Sequence, residues 1–229
     1  MDHVNAANAY IFGSDNDSLY LGPYDPQLRE KITGLYTALP TGLVDCGWMS
    51  DDGIKLTLDD SVSKIKGHQG HRVVKTFMDS SETSTTATLL ETKVDTVKHY
   101  LDAKVERVME TVGAEQKPVA RLTVPTSRRV LQLSGVVELF DTSGSDVKVR
   151  MVLEHIELGE RGEISFVTGS ITAYEHTLNL LDDFDIWTDA PALIPAACPR
   201  RSRARPDGRS PGGRGSPDIS GPARRKDRP

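Results

Sequence analysis

Several residues have types and spacings that could do chemistry. His68 and His71 stand three apart in a segment flanked by Gly67 and Gly70, a spacing able to chelate a metal. No third Cys or His lies near them, and a zinc site needs at least three protein ligands, so they read as loop histidines. His155-Ile156-Glu157 matches part of a zinc-deaminase signature, but the Pro-Cys-x-x-Cys partner is missing from the chain. Asp15 and Asp17 echo the start of a calcium loop without its Gly at position six or Glu at position twelve. Ser165, between Gly162 and Gly169, has the wrong spacing for a nucleophile elbow. Cys46 precedes Gly47-Trp48, a faint echo of a papain-type site that lacks its surrounding pattern, and reads as a small buried thiol. The acidic pairs Asp51/Asp52, Asp59/Asp60 and Asp182/Asp183 fall at turns or strand ends, where solvated carboxylates are ordinary. Phosphate-binding loops and the dinucleotide fingerprint are absent. The expectation is therefore no enzyme, no metal and no cofactor.

The elements that would position these residues are mostly strands. Alternation of period 2 recurs along the chain, the mark of half-buried strands. It runs through Leu43–Met49, Ile54–Asp59 with a weaker continuation over Val62–Lys66, Arg72–Met78, Thr83–Leu90, Val119–Val124, Arg129–Phe140, Asp146–Ile156, Glu163–Val167 and Gly169–Leu178. Ser50-Asp51-Asp52-Gly53 and Gly159-Glu160-Arg161-Gly162 read as turns, Asp141–Ser145 as a hairpin turn, and Gly135 as a bulge. Residues 14–42 carry Gly22, Pro23, Pro26, Gly34, Pro40 and Gly42, so they read as a long punctuated loop with a helical turn or two between Pro26 and Leu35. One segment changes period. Val94, Val97, Leu101 and Val105 are three or four apart, which predicts a helix over 92–103 capped by Thr92 and Asp95 and docked through Val94, Val97 and Leu101. Val105–Val112 fits either an extension of that helix or a return to strand, and is read as strand. The fold class expected is mainly β (α+β): a β-sandwich or partial barrel with one flanking α-helix.

Composition sets further limits. At 229 residues and 37% hydrophobic content, with only 6% aromatics, the chain can build one core resting on Val, Leu and Ile. No run of 18 apolar residues occurs, so no membrane helix is expected. Met1–Asn5 lacks the pattern of a signal peptide, and Cys46 and Cys198 match no redox or zinc spacing, so a soluble, non-secreted chain with free thiols is expected. The net charge of −5 hides a division. Residues 199–229 hold nine Arg and one Lys against three Asp, net +7, while residues 1–198 hold 18 basic and 30 acidic residues, net −12. We divide the chain into a β domain over 1–190 and a disordered Arg/Pro/Gly-rich basic tail over 191–229, because the tail has too little apolar content to offset its conformational entropy. Such a tail fits nucleic-acid or membrane-surface contact, a solvated extension, or GC-rich DNA read in a shifted frame. We take the solvated extension as the working reading and place function in the acidic body.

One stretch of that body resembles a known family. Gly42–Ile54, reading GLVDCGWMSDDGI, resembles the "vDlGyvSeDGv" segment of major tail tube proteins from siphophages of actinobacteria. Asp60–Gly67 is similar to their "stt-Ik-w" stretch, with Gly67-His68 where an aromatic is usual. Ser84–His99, reading STTATLLETKVDTVKH, is similar to their strand-to-helix junction, and Arg128 through Tyr174 to their closing hairpins and "v-iTaYp" ending. The resemblance covers about residues 4–180 and departs in the long 14–42 loop and the basic tail. It implies a tail-tube-like fold, homo-hexameric rings stacked into the hollow tube of a non-contractile tail, and a place in the virion tail after assembly in the host cytoplasm. It also implies partners: further copies of the chain, the tape-measure, tail terminator and baseplate proteins, and DNA passing through the lumen without specific binding. For assembly by strand pairing the expected residues are Ile54, Leu56, Leu58, Val73, Val74 and Phe77, on alternating strands with one polar face. The rival expectation is a cellular β-sandwich binding module with an acidic ligand face.

Overall fold

In a computed structural model, residues 5–195 are described. The protein is mostly β, 51% strand and 9% helical, and its strands pair antiparallel. The elements follow the order β1 (Ser18–Pro23), α1 (Leu28–Lys31), β2 (Val44–Asp45), β3 (Met49–Lys66), β4 (Val73–Leu89), α2 (Val94–Leu101), β5 (Lys104–Val112), β6 (Glu115–Thr123), β7 (Gln132–Phe140), β8 (Lys148–Arg161), β9 (Tyr174–Leu180) and β10 (Asp185–Thr188). Eight strands form one sheet in the order β2-β1-β7-β8-β9-β4-β3, with β10 also on β8; β5 and β6 pair only with each other. The two ends of that order, β2 and β3, are consecutive in the chain and joined by Cys46, Gly47 and Trp48 alone. Three residues reach only about 10 Å, so the sheet must curl until its ends approach. Gly47 makes the crossing possible. Its φ is +84°, and a Cβ there would collide with the Glu91 carboxylate, which accepts the Trp48 N–H at 2.9 Å.

The curled face encloses the main core. Leu19 and Leu21 of β1, Leu89 of β4, Val137 of β7, Leu153 and Ile156 of β8 and Leu178 of β9 pack there against Val97 and Tyr100 of α2. The opposite face of the central strands is also covered. Val136 and Val152 pack under Leu28 and Ile32, at the start of α1 and just past its end. Burial on both faces explains the near-continuous apolar run Leu133–Leu139, where a strand wet on one side would alternate. The covering segment is fastened by polar contacts. Arg29 pairs with Asp185 at 2.8 Å, and Arg150 donates to the carbonyls of Gly34 and Thr37 at 3.1 and 2.6 Å.

The structure revises several expectations. Residues 14–42 are not one loop: they contain β1, the second strand of the sheet order, because Leu19 and Leu21 supply core and Gly22 lets the Gly42 carbonyl sit 2.6 Å from where its Cβ would be. Ser50–Gly53 is not a turn between strands but an irregular stretch inside β3, with a register shift between Met49 and Ile54. Likewise Gly159–Arg161 continues β8, and Glu163–Val167 and Gly169–Ala173 are unpaired. Gly135 does lie at a register shift, between Leu133 and Gly135 on β7. The helix is shorter than 92–103. Its N-cap is Lys93, while the Thr92 hydroxyl bonds instead with the Tyr174 hydroxyl at 3.2 Å.

The helix docking face is also corrected. Val94 is 60% exposed and takes no part in the core, because it opens the first turn before the helix reaches the sheet. Val97 is buried and Leu101 half-buried against the core, and the remaining anchors are Thr96, Tyr100 and Ala103. The compact unit runs to Pro195, past the expected boundary at 190, with a short helical turn at Pro191–Leu193. The basic stretch expected to be disordered lies, beyond 195, outside the described residues. No helix among the described residues is long and apolar enough to cross a membrane.

Candidate functional site

The residues singled out for catalysis are dispersed among the described residues. His68 and His71 lie in the exposed tip joining β3 to β4, with His71 at φ 52°. His155 sits 3.0 Å from the Asp182 carboxylate and stacks on Tyr24, with ring centroids 4.3 Å apart. Glu157, two residues on, faces Gln132 instead. Asp17 accepts the Phe140 N–H at 2.7 Å, a structural contact, and the Ser165 hydroxyl donates to the Glu163 carboxylate at 3.0 Å in an exposed, unpaired segment. Burial pushes the Cys46 thiol up to about 12, so it carries no thiolate near neutral pH. Among the described residues no three His, Cys, Asp or Glu side chains are grouped to hold a metal.

Asp141 shows how polar side chains here serve structure. It accepts the backbone N–H groups of Ile11 at 2.7 Å, Ser143 at 3.2 Å and Ser145 at 3.1 Å, besides the hydroxyls of Ser143 and Ser145. These hydrogen bonds, led by that from the Ser145 hydroxyl, hold its carboxyl well below the usual range.

Exposed apolar side chains occur at several places, Trp48, Phe166 and Ile171 among them, and two hairpins carry them on paired strands. The first is the outer part of β3–β4. β4 pairs with β9 only over Thr83–Leu89, so residues 73–82 have β3 as their sole partner and the ribbon extends past the sheet. Directly opposite residues share a face. Ile54, opposite the buried Ala87, is packed against the core, so that face continues outward through Leu56, Leu58, Asp60 and Val62. Leu58 is 67% exposed, and Val62 is joined by Met78 opposite it. The other face is polar near the base, with Lys55, Thr57, Asp59 and Ser61 facing Thr86, Ser84, Glu82 and Ser80. Near the tip Phe77 and Ile65 lie on that second face, while Val73 returns to the first. Val74, 72% exposed, falls between the pairs Ile65–Lys75 and Lys66–Val73, at a register shift. Thus Leu56, Leu58, Val73, Val74 and Phe77 are exposed on the arm and Ile54 anchors its base. Val62 and Met78 belong with them, signalled only by the weak alternation past Asp60.

The second hairpin, β5–β6, was legible as strands but not as a surface. One face carries Val105 opposite Leu122, Arg107 opposite Ala120, and Met109 opposite Pro118. Met109 is 51% exposed and Leu122 also stands in solvent. The other face centres on the half-buried pair Val108–Val119, flanked by the opposed charges Glu106–Arg121 and Glu110–Lys117. The alternation in Val105–Val112 and in Val119–Val124 was its advance signal.

A cleft of about 790 Å³ lies where the sheet ends approach, lined by Phe12, Trp48, Ile54 and six carboxylates: Asp15, Asp17, Asp45, Asp51, Asp52 and Glu91. The Trp48 N–H, together with the Lys93 ammonium 3.0 Å away, lowers the Glu91 carboxyl. No family model matches the chain, and comparison with the curated proteins returns no match.

Proposed function

We propose that the protein is the structural subunit of a phage non-contractile tail tube, self-assembling into stacked rings that form a DNA-conducting channel. The observation that carries this reading is β3. It is an 18-residue strand at the end of the sheet order, with one ladder side unpaired among the described residues. A long unpaired edge is a template for another strand, and a two-stranded ribbon without further support is marginal in water. A chain that keeps such an edge beside exposed apolar ribbons is built to be completed by other chains. Support also comes from the tail-tube-like segments: Gly42–Ile54 crosses between the sheet ends, and Ser84–His99 carries the strand-to-helix junction. The net −12 of residues 1–198 suits a channel wall along which DNA slides without sticking, since phosphate binding is mostly electrostatic. In this reading the partners are other copies of the chain, with tape-measure, tail terminator and baseplate proteins at the tube's interior and ends.

Negative-stain electron microscopy and sedimentation of concentrated protein test it. Rings or tubes are expected, and a monodisperse monomer at every concentration overturns the proposal. The acidic cleft favours a second reading, a cellular binding module taking a basic ligand. That reading predicts a stable monomer whose binding of a Lys/Arg-rich peptide is lost on neutralising Asp51 and Asp52.

A further inference from the structure

Resting on the self-assembly reading above, we propose that the apolar face of the β3–β4 arm docks on the apolar face of the β5–β6 hairpin of a second copy, with Asp60 of one chain paired to Arg107 of the other. On β3 the sequence along the docking face is Leu58, Asp60, Val62; on β5 it is Val105, Arg107, Met109. Each face thus places one charge between two apolar side chains at the same two-residue step, and the two charges are opposite. Neither residue forms an ion pair within its own chain among the described residues; Asp60 accepts only the Ser81 hydroxyl, at 2.6 Å. The ribbons also match in length. The arm beyond the sheet, Asp59–Lys66, has eight residues and β5 has nine, about 27 and 30 Å at ~3.4 Å per residue. Among the described residues neither hairpin pairs with the other, so both surfaces are left over by the same fold.

Because the two faces differ, the contact is heterologous: each copy offers its arm to one neighbour and its hairpin to the next, which propagates into a ring or a helical array. Two ribbons about 30 Å by 10 Å bury roughly 600 Å² in total, well under the ~1,200 Å² of a stable pair. One contact therefore makes no lasting dimer, and closed or stacked assemblies should coexist with monomer. The charge pair fixes register: a slip of two residues sets Arg107 against Leu58 or Val62 and leaves a guanidinium without a partner on an apolar surface.

Asp60→Arg and Arg107→Asp test the pairing, with Asp59→Arg, on the opposite face of the arm, as control. All three positions are exposed, so the variants should melt as wild-type subunits do. By sedimentation, each of the first two alone should raise the concentration needed for assembly by about ten-fold or more. An equimolar mixture should assemble within about three-fold of wild type, since every contact between unlike copies then restores an opposite pair. Asp59→Arg should assemble normally. Wild type that assembles while either single variant does so equally well, or a mixture that stays dissociated, overturns the pairing and leaves the tube reading standing. A wild type that never assembles removes both.

Discussion

Glu138 and Arg150 face each other across β7 and β8, under the α1 segment, with side chains 10% and 5% exposed. The guanidinium Nε donates to Glu138 at 2.7 Å and a second nitrogen reaches the same oxygen, while Nη1 holds the carbonyls of Gly34 and Thr37. Glu138→Gln keeps the volume and removes only the charge, so no cavity confuses the result. Arg150 is then left buried with carbonyls and an amide, and Lys148, 3.2 Å from Glu138, loses its counter-ion too. Removing one member of a buried pair typically costs about 3–5 kcal/mol. For a body of this size about 1 kcal/mol moves Tm by roughly 2–4 °C, so a fall of roughly 6–20 °C is expected. Circular-dichroism melts of unassembled subunits at neutral pH measure it. Limited proteolysis should also show faster cutting within 34–43, where the Arg150 clamp holds the chain. A Tm within about 2 °C of wild type would refute the reasoning, meaning that water reaches this pair and the α1 segment does not seal that face.

Four further outcomes are expected. Tyr100→Ala, which empties a core position and removes a 2.8 Å bond to the Gly162 carbonyl, should cost about 3–5 kcal/mol in thermal melts, while Val94→Ala should stay within about 0.5 kcal/mol of wild type. Burial lowers the His176 imidazole to about 4, so the unfolded chain binds its proton first as pH falls below about 6.5; the stability this site contributes is full above that value and lost towards pH 4, about 3 kcal/mol in all. A His176→Phe variant should accordingly show a flatter Tm profile between pH 7 and 4.5, and an unchanged slope would show that His176 does not govern this window. Hydrogen exchange of the unassembled subunit should run fast over 58–82 and 104–123 and slowly over 133–140 and 149–158, with the first two ranges becoming protected on assembly. Deleting 199–229, whose only large aliphatic is Ile219, should leave both Tm and assembly unchanged, and loss of either would make the basic stretch structural.

The strands with clean alternation could be read directly: the inner part of β3, the first half of β8, and β5 after the helix. Misreadings cluster where a local signal was overridden by a distant partner. Gly22-Pro23 looks like a turn, yet β1 is held by six register positions on β7, from Ser18↔Glu138 to Pro23↔Leu133. Ser50–Gly53 has turn chemistry, but β4 lies alongside and the four residues are absorbed as an irregularity. The helix stripe was displaced for a different reason. Period counting weighed Val94 and Leu101 as apolar and passed over Thr96 and Tyr100, whose side chains are buried all the same. For the candidate surface, alternation in the sequence picked out strand residues of the arm, of which Leu56, Leu58, Val73, Val74 and Phe77 are exposed and Ile54 is packed at the base. It could not name the second hairpin face, because opposition across β5 and β6 depends on a register that only the turn between Val112 and Glu115 sets.

The distribution of apolar residues carries the functional argument further than any motif does. β7 and β8 are covered on both faces and β1, β4 and β9 on the core side, so folding of one chain uses nearly all the aliphatic side chains of the central sheet. Yet Leu58, Val62 and Met78 on one hairpin and Met109 and Leu122 on the other remain in solvent, on ribbons that no third strand supports. Such ribbons invite aggregation without strengthening the fold of one chain. In the self-assembly proposed above, the missing cover comes from another copy. The polar faces then have a role as well: Lys55, Thr57, Asp59 and Ser61 keep one side of the arm wet while the other is covered, which is the division a wall between protein and an aqueous channel requires.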